Sequence, residues 1–168
     1  MELIDAITTR ASAARLTAPG PTAEHLAVLI DAANHAPDHG RLRPWRVIVL
    51  EGERRACFVA AVVEARRRRA PPPTAQQLLA EREKFMRAPA LLVVGCVVRR
   101  DQPKVPEIEQ VLAAGAAAQN LILAAHALGY GAMWKTGPAA YDAAVKASID
   151  LGAQDHIVAI VHLGSRVP

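Results

Sequence analysis

The sequence predicts an α+β protein, a small mixed or antiparallel sheet heavily flanked by helices, in one domain over residues 1–168. Three observations carry this. The chain opens with two helical stretches before its first strand-like run, so strict strand–helix alternation fails at the start. About three or four short apolar runs read as strands, against about five or six helical segments. Hydrophobic residues make up 52 % and charged residues 21 %, which excludes a disordered chain. A chain of this length buries roughly 70 % of its unfolded surface and needs no disulfide or structural metal to fold.

The elements follow in order. Met1 to Arg15 reads as a helix, with Leu3, Ile4 and Ile7 at helical spacing. Leu16 to Pro21 reads as a loop, broken by Pro19, Gly20 and Pro21. Thr22 caps a second helix whose buried stripe is Leu26, Leu29, Ile30 and Ala33, and Pro37 stops it. His35 to Pro44 is an irregular polar loop, and Trp45 to Leu50 a strand. Glu53 to Arg69 is a third helix, followed by a proline loop at 71–73. Thr74 caps a helix running to about Met86.

Pro89 to Val98 is apolar on both faces and so belongs at the centre of the sheet. Pro106 to Leu128 is a long helix, apolar all round from Val111 to Ala118, which places it at the centre of the fold or in an oligomer interface. Gly129 to Met133 leads into Trp134-Lys135-Thr136-Gly137. Ala139 to Ile149 reads as a short helix and Ile157 to Leu163 as the last strand.

Thirty-five alanines and only six aromatic residues mean a core of small and aliphatic side chains. The charge is uneven. Residues 1–100 hold 16 basic and 10 acidic side chains, and the remainder 4 and 6. Arg66 to Arg69 could neutralise phosphates, and a small basic nucleic-acid-associated protein is one reading. The alternative is an exposed helix end, where cations suit the dipole. Cys57 and Cys96 form no CxxC pair and no disulfide framework, and both read as buried small hydrophobes. The start lacks a signal-peptide pattern, and the longest apolar run, Ala88 to Val98, is too short for a membrane span. The expectation is a reduced, cytoplasmic protein with no membrane partner.

Several chemistries fail on motif grounds. GxxxxGK[ST] and GxSxG are absent, and Gly129-Tyr130-Gly131 follows a helix rather than a strand. His35 and His39 stand four apart, but Pro37 breaks the helix that a metal pair needs, so no metal is expected. Within apolar runs, His126 and His162 read as core or interface histidines, and Trp45 reads equally as a core anchor or a ligand contact. Three clusters remain. Arg10-Ala11-Ser12, with Arg15 behind it, offers a guanidinium fork and a hydroxyl suited to phosphate. Ala36 to Trp45 is a cation-rich loop entering a buried strand. Trp134 to Gly137 groups an aromatic ring, a cation, a hydroxyl and a flexible backbone.

In this order and spacing, the three clusters resemble the nitroreductase superfamily of FMN enzymes, and within it the small YdjA-like NAD(P)H nitroreductases. Arg10-Ala11-Ser12-Ala13-Ala14-Arg15-Leu16 resembles that branch's RRSxxRL, Ala36 to Trp45 its APDHxxxQPW, and Trp134 to Gly137 its WRSG. The resemblance implies an intertwined homodimer with two FMN molecules at the interface and the long helix between subunits. It implies that Arg10, Ala11 and Ser12 hold the phosphate and ribityl chain, with Arg166 near the phosphate. His35 and His39 are then expected beside the flavin of the same subunit, and Trp134, Lys135 and Thr136 along it from the partner. The implied chemistry is ping-pong, from NAD(P)H through flavin to a nitroaromatic, quinone or similar acceptor, with the protein orienting the ring. No catalytic triad is expected; Lys135 or Arg43 is placed to stabilise charge on the reduced ring. Two departures stand out. Ala11 replaces the second Arg of RRS, and Arg43, which can only donate, replaces a Gln. A flavin-binding protein of the same fold, without activity on added acceptors, is the alternative within this resemblance.

Overall fold

The fold comes from a computed structural model that describes residues 1–167; Pro168, the last residue of the expected domain, lies outside the described residues. In chain order the elements are α1 (Leu3–Thr9), β1 (Leu16–Thr17), α2 (Ala23–Asn34), β2 (Trp45–Leu50), α3 (Gly52–Arg67), α4 (Ala75–Met86), β3 (Ala90–Cys96), α5 (Glu107–Ala127), β4 (Tyr130–Lys135), α6 (Ala143–Ala147) and β5 (His156–Arg166). Short 3-10 turns occupy His39–Arg41 and Pro138–Tyr141. The five strands form one antiparallel sheet in the order β1-β5-β3-β2, and β4 pairs with the other edge of β5.

β3 is central, as its two apolar faces require, with β2 on one side and β5 on the other. The period-two alternation of strands divides its side chains between two cores. Leu92, Val94 and Cys96 pack with Val161, Leu163 and the α5 residues Ala114, Ala117, Ala118 and Leu121. Leu91 and Val93 pack with Ile160, Phe58 and Val62 of α3 and Phe85 of α4. α5 is long and apolar enough by composition to cross a membrane, but it packs through the core against β3, β4, β5 and α2. Gln110 is 1 % exposed and anchors its first turns, accepting from Arg99 N and donating to the carbonyls of Arg99 and Val105.

Capping sets the helix starts. Thr22 accepts from His25 N, and Thr74 with Gln77 forms a reciprocal capping box. The first helix is much shorter than its pattern suggested. It stops at Thr9, Arg10 is extended, and the chain then runs out to pair as β1 with Arg166 and Ser165. Ala13 N donates to Ala132 O at 2.9 Å, so pairing with the sheet competes successfully with further helix. The expected loop at Leu16 to Pro21 therefore contains a short strand. The expected helix at Ala139 to Ile149 is split at Asp142, which is extended and caps α6 with its carboxylate. β5 runs three residues beyond Leu163.

One burial expectation fails. Cys57 is exposed, and only Cys96 is buried. Leu3, Ile4 and Ile7 make no core; they are exposed, as are Ile108 and Leu112 on α5. Arg67 and Arg68 of the basic run pair with Glu64, and Arg68 also reaches Asp142. These pairings fit the reading of an exposed helix end.

Candidate active site

The segment that leaves α1 lies across β4, and the close approach is possible because residue 131 is glycine. A Cβ there would fall 2.7 Å from Leu16 Cδ2 and 2.9 Å from Ala13 Cβ. Beyond this crossing opens a cavity of about 310 Å³. Its walls are residues 13–17, the end of α4 at Lys84, Arg87 and Ala88, Met133 and Lys135 of β4, His162 of β5, and Val167. Arg55 fixes the end of α4 by donating to the carbonyls of Phe85 at 2.6 Å and Ala88 at 2.7 Å.

The lining is strongly cationic. Arg15, Lys84, Arg87 and Lys135 contribute to it, and no aspartate or glutamate does among the described residues. Lys84 is bonded to Glu81 at 2.7 Å, just outside. On the floor, His162 is 4 % exposed and stacks obliquely on Phe85 at 5.6 Å between ring centres. Its Nε2 is buried with no hydrogen-bond partner. Burial, followed by the positive charges of Lys135, Arg55 and Arg87, pushes its pKa down to about 4, so the ring is neutral at pH 7.

At the other end of the same segment a second group of cations gathers. Arg166 donates to Ala11 O at 3.3 Å and lies 2.9 Å from His126 Nδ1. His126 Nε2 lies 3.0 Å from Thr9 Oγ1. Burial lowers the His126 pKa, and the positive charges of Arg166 and Arg10 lower it further, so Arg10 belongs to this group. The structure thus brings Arg10 and Ala11 to Arg166, while the cavity lined by Lys135 begins at Ala13, one residue beyond Ser12 on the same segment.

It does not bring His35 or His39 there. His35 Nδ1 bonds to Asp31 O at 2.8 Å, and His39 bonds to Glu109 at the start of α5. His126 sits at the far end of that helix. Seventeen residues at 1.5 Å rise separate Glu109 from His126 by about 25 Å, so His39 and Arg10 lie toward opposite ends of α5 within one chain. Within one chain, then, His39 stands away from Arg10, and Lys135 lines the cavity that opens beside the segment following Arg10. Strand alternation also divides the third cluster. Lys135 lines the cavity, whereas Trp134 bonds through Nε1 to Val158 O at 3.1 Å and, like Thr136, is not part of the lining. Arg43 lies apart, beside Pro44, Trp45, Arg46 and Arg99. Trp45 itself is a core anchor, donating to Asn34 Oδ1 at 3.0 Å.

Lys84, Arg87 and His162 line the cavity and His126 adjoins Arg166, positions that the sequence did not reveal. Lys84 and Arg87 look like ordinary solvated ends of an amphipathic helix. The one available signal was a polar residue, His162, inside the apolar run of the last strand.

The chain's similarities agree with this geometry. The sequence profile of the Nitroreductase family matches residues 7–165. A Haemophilus influenzae protein named "Putative NAD(P)H nitroreductase" is 36 % identical over 171 residues, covering 98 % of this chain and 89 % of that one. The Escherichia coli K12 protein of the same name, YdjA, is 33 % identical over 165 residues, covering 98 % and 88 %. The crystal structure of a nitroreductase-like family protein from Bacillus cereus superposes with a TM-score of 0.79 at 27 % identity, over 100 % of this chain and 87 % of that one. A Bacteroides fragilis nitroreductase solved with bound FMN shares the fold, with a TM-score of 0.75 at 17 % identity over 99 % and 89 %. With the antiparallel sheet, the buried α5 and the cationic cleft between α1, α4 and β4, these matches establish that the chain belongs to the nitroreductase family.

Proposed function

We propose that the chain is an FMN-dependent oxidoreductase that draws electrons from NAD(P)H and delivers them to a small acceptor such as a nitroaromatic or a quinone. The observation that carries this is the cleft itself. Four cations and an unpartnered buried imidazole line one cavity, and Arg10 and Arg166 gather next to it. That donor set fits a planar, polar-edged ring joined to a phosphate. Arg10, Arg166 and Ser12 would hold the phosphate end, and Lys84, Arg87 and Lys135 would surround the ring. Bound FMN supplies the reversible two-electron chemistry that no side chain here possesses. Lys84 and Lys135 hold positive charge at the ring before any electron arrives, which favours a cofactor that gains negative charge.

The site is shared between two copies in this reading. Leu3, Ile4 and Ile7 of α1 and Ile108 and Leu112 of α5 leave a large apolar surface exposed on one chain. A two-fold axis pairing α5 antiparallel with its copy covers that surface. It also brings His39 of one chain toward the Arg10 and Arg166 end of the other. His35 and His39 then reach the cofactor from the second copy, and Trp134 and Thr136 from the side opposite Lys135.

The first experiment is the visible spectrum of the purified protein after incubation with FMN and desalting. Oxidised-flavin bands at about one per chain support the assignment; a colourless protein overturns it. Anaerobic bleaching by NAD(P)H, then recovery on adding a nitroaromatic or quinone, separates an oxidoreductase from a flavin-binding protein without acceptor activity.

A further inference from the structure

The four cations of the cleft are explained by an anionic, polar ligand, but His162 is not. Its ring is buried in the floor between Phe85 of α4 and the paired strands β3 and β4, opposite Leu91 and Met133. Among the described residues, the charged groups that bear on it are positive: Lys135 from β4, Arg55 from α3 and Arg87 just past the end of α4. None of them is its hydrogen-bond partner, and its Nε2 has none at all. Nearly all buried polar atoms in folded proteins are satisfied, so an orphan beneath a cavity floor calls for a partner that arrives later and meets it when the ring turns toward the cavity. A leucine or phenylalanine at this position would pack against Phe85 and Leu91 without leaving a polar atom stranded. The buried polar edge is thus a cost to the empty protein.

We propose that His162 is a ligand-contacting residue of the cleft, its ring hydrogen-bonding a polar edge of the bound flavin that it helps to hold. This rests on the flavin reading above and adds to it a contact from the sheet floor. Two features of the surroundings support the assignment. A neutral imidazole presents both a donor and an acceptor, whereas the four lining cations only donate, so His162, with the hydroxyl of Thr17 at the rim, is among the few described lining side chains able to accept from a ring N–H. Burial first, and then the surrounding cations, keep the ring in that neutral form at neutral pH, pushing its pKa down to about 4.

The inference makes a paired demand that a purely structural histidine would not meet. His162→Phe keeps an aromatic ring on Phe85 and removes both nitrogens. The flavin-free variant is expected to melt at or above the temperature of the flavin-free parent, while its FMN affinity, from a fluorescence-quenching titration, falls about tenfold, equivalent to about 1.4 kcal/mol. Should the Phe variant fail to fold, His162→Leu carries the same test. A variant that binds FMN as tightly as the parent overturns the proposal and leaves an internal water as the partner of Nε2. A variant that loses flavin-free stability also overturns it, because the histidine is then part of the packing. A parent protein that retains no FMN overturns both this inference and the flavin reading, so the two failures are distinguishable.

Discussion

His126 Nδ1 and Arg166 lie 2.9 Å apart, and because a guanidinium can only donate, the histidine nitrogen must carry a lone pair. The proton therefore sits on Nε2, which points at Thr9 Oγ1 3.0 Å away, and Thr9 in turn is bonded to Asp5 O. One neutral imidazole thus ties the end of α1 to the end of β5. It also aims Arg166, whose other contact is Ala11 O. His126→Ala is expected to weaken FMN binding about fivefold by releasing Arg166 from its fixed orientation. The melting temperature of the flavin-free protein should change little, since His126 is only half-buried. Unaltered affinity in a titration would mean that Arg166 needs no such support.

Acid should weaken the fold through His162. In the folded chain this ring stays deprotonated down to about pH 4, whereas in the unfolded chain it takes up a proton at about 6.5. Between those values the unfolded state binds more protons, so stability falls as pH falls through that window, by up to about 3 kcal/mol. The His126 pKa is lowered too, and its contribution has the same sign. Urea denaturation of the flavin-free protein at pH 7.5 and pH 4.5 measures the loss, and His162→Phe should remove most of it. Parallel pH profiles for parent and variant would show that another group is responsible.

The proposed sharing of the site between subunits has a sharp consequence. Arg10→Ala and His39→Ala should each lower flavin loading when prepared alone. Mixing the two after reversible dissociation builds dimers in which one site takes Arg10 from one chain and His39 from the other, both intact. Random reassortment restores about a quarter of the sites. Flavin content per chain after mixing and desalting gives the answer. No recovery in a mixture shown by mass to contain mixed dimers would place all the contacts of one flavin on one chain. A glutamate at Leu112, which is 64 % exposed on α5, should shift the protein toward monomer in sedimentation and lower its flavin content together.

How far the sequence foretold this depends on how local each signal was. The central position of β3 was legible because seven successive residues, Ala90 to Cys96, are apolar or glycine and no face is left for water. Thr22 and Thr74 marked helix starts correctly because capping is a contact within one turn. The end of α1 was not legible. Ala11 to Ala14 are compatible with helix, and only the pairing of Ala13 with Ala132, far along the chain, draws them out. The exposure of Leu3, Ile4 and Ile7 was hidden for a related reason, since an amphipathic pattern does not say whether the covering surface is in the same chain. In the site, Arg10, Lys135 and Arg166 carried recognisable patterns. Lys84, Arg87 and His162 come together only through the packing of α4 on the sheet. Sequence order conceals that, within one chain, His39 and Arg10 lie toward opposite ends of α5.

Gly131 offers the most direct test that this packing shapes the cleft. A Cβ at 131 would lie 2.7 Å from Leu16 Cδ2, 2.9 Å from Ala13 Cβ and 3.0 Å from Arg166 Cγ. Leu16 can rotate and Arg166 is flexible, but the Ala13 methyl is fixed to a backbone that bonds Ala132. The strain must therefore lift residues 13–16 off β4, and these are a wall of the cavity. Gly131→Ala is expected to cost about 1–3 kcal/mol of stability, as overpacking in a close contact does. It should also lower FMN affinity by more than His126→Ala does, because it displaces Arg10 and the 13–17 wall at once. Chemical denaturation and a flavin titration measure the two effects. A Gly131→Ala protein that keeps the parent's affinity would show that the crossing over β4 does not set the shape of the flavin cleft.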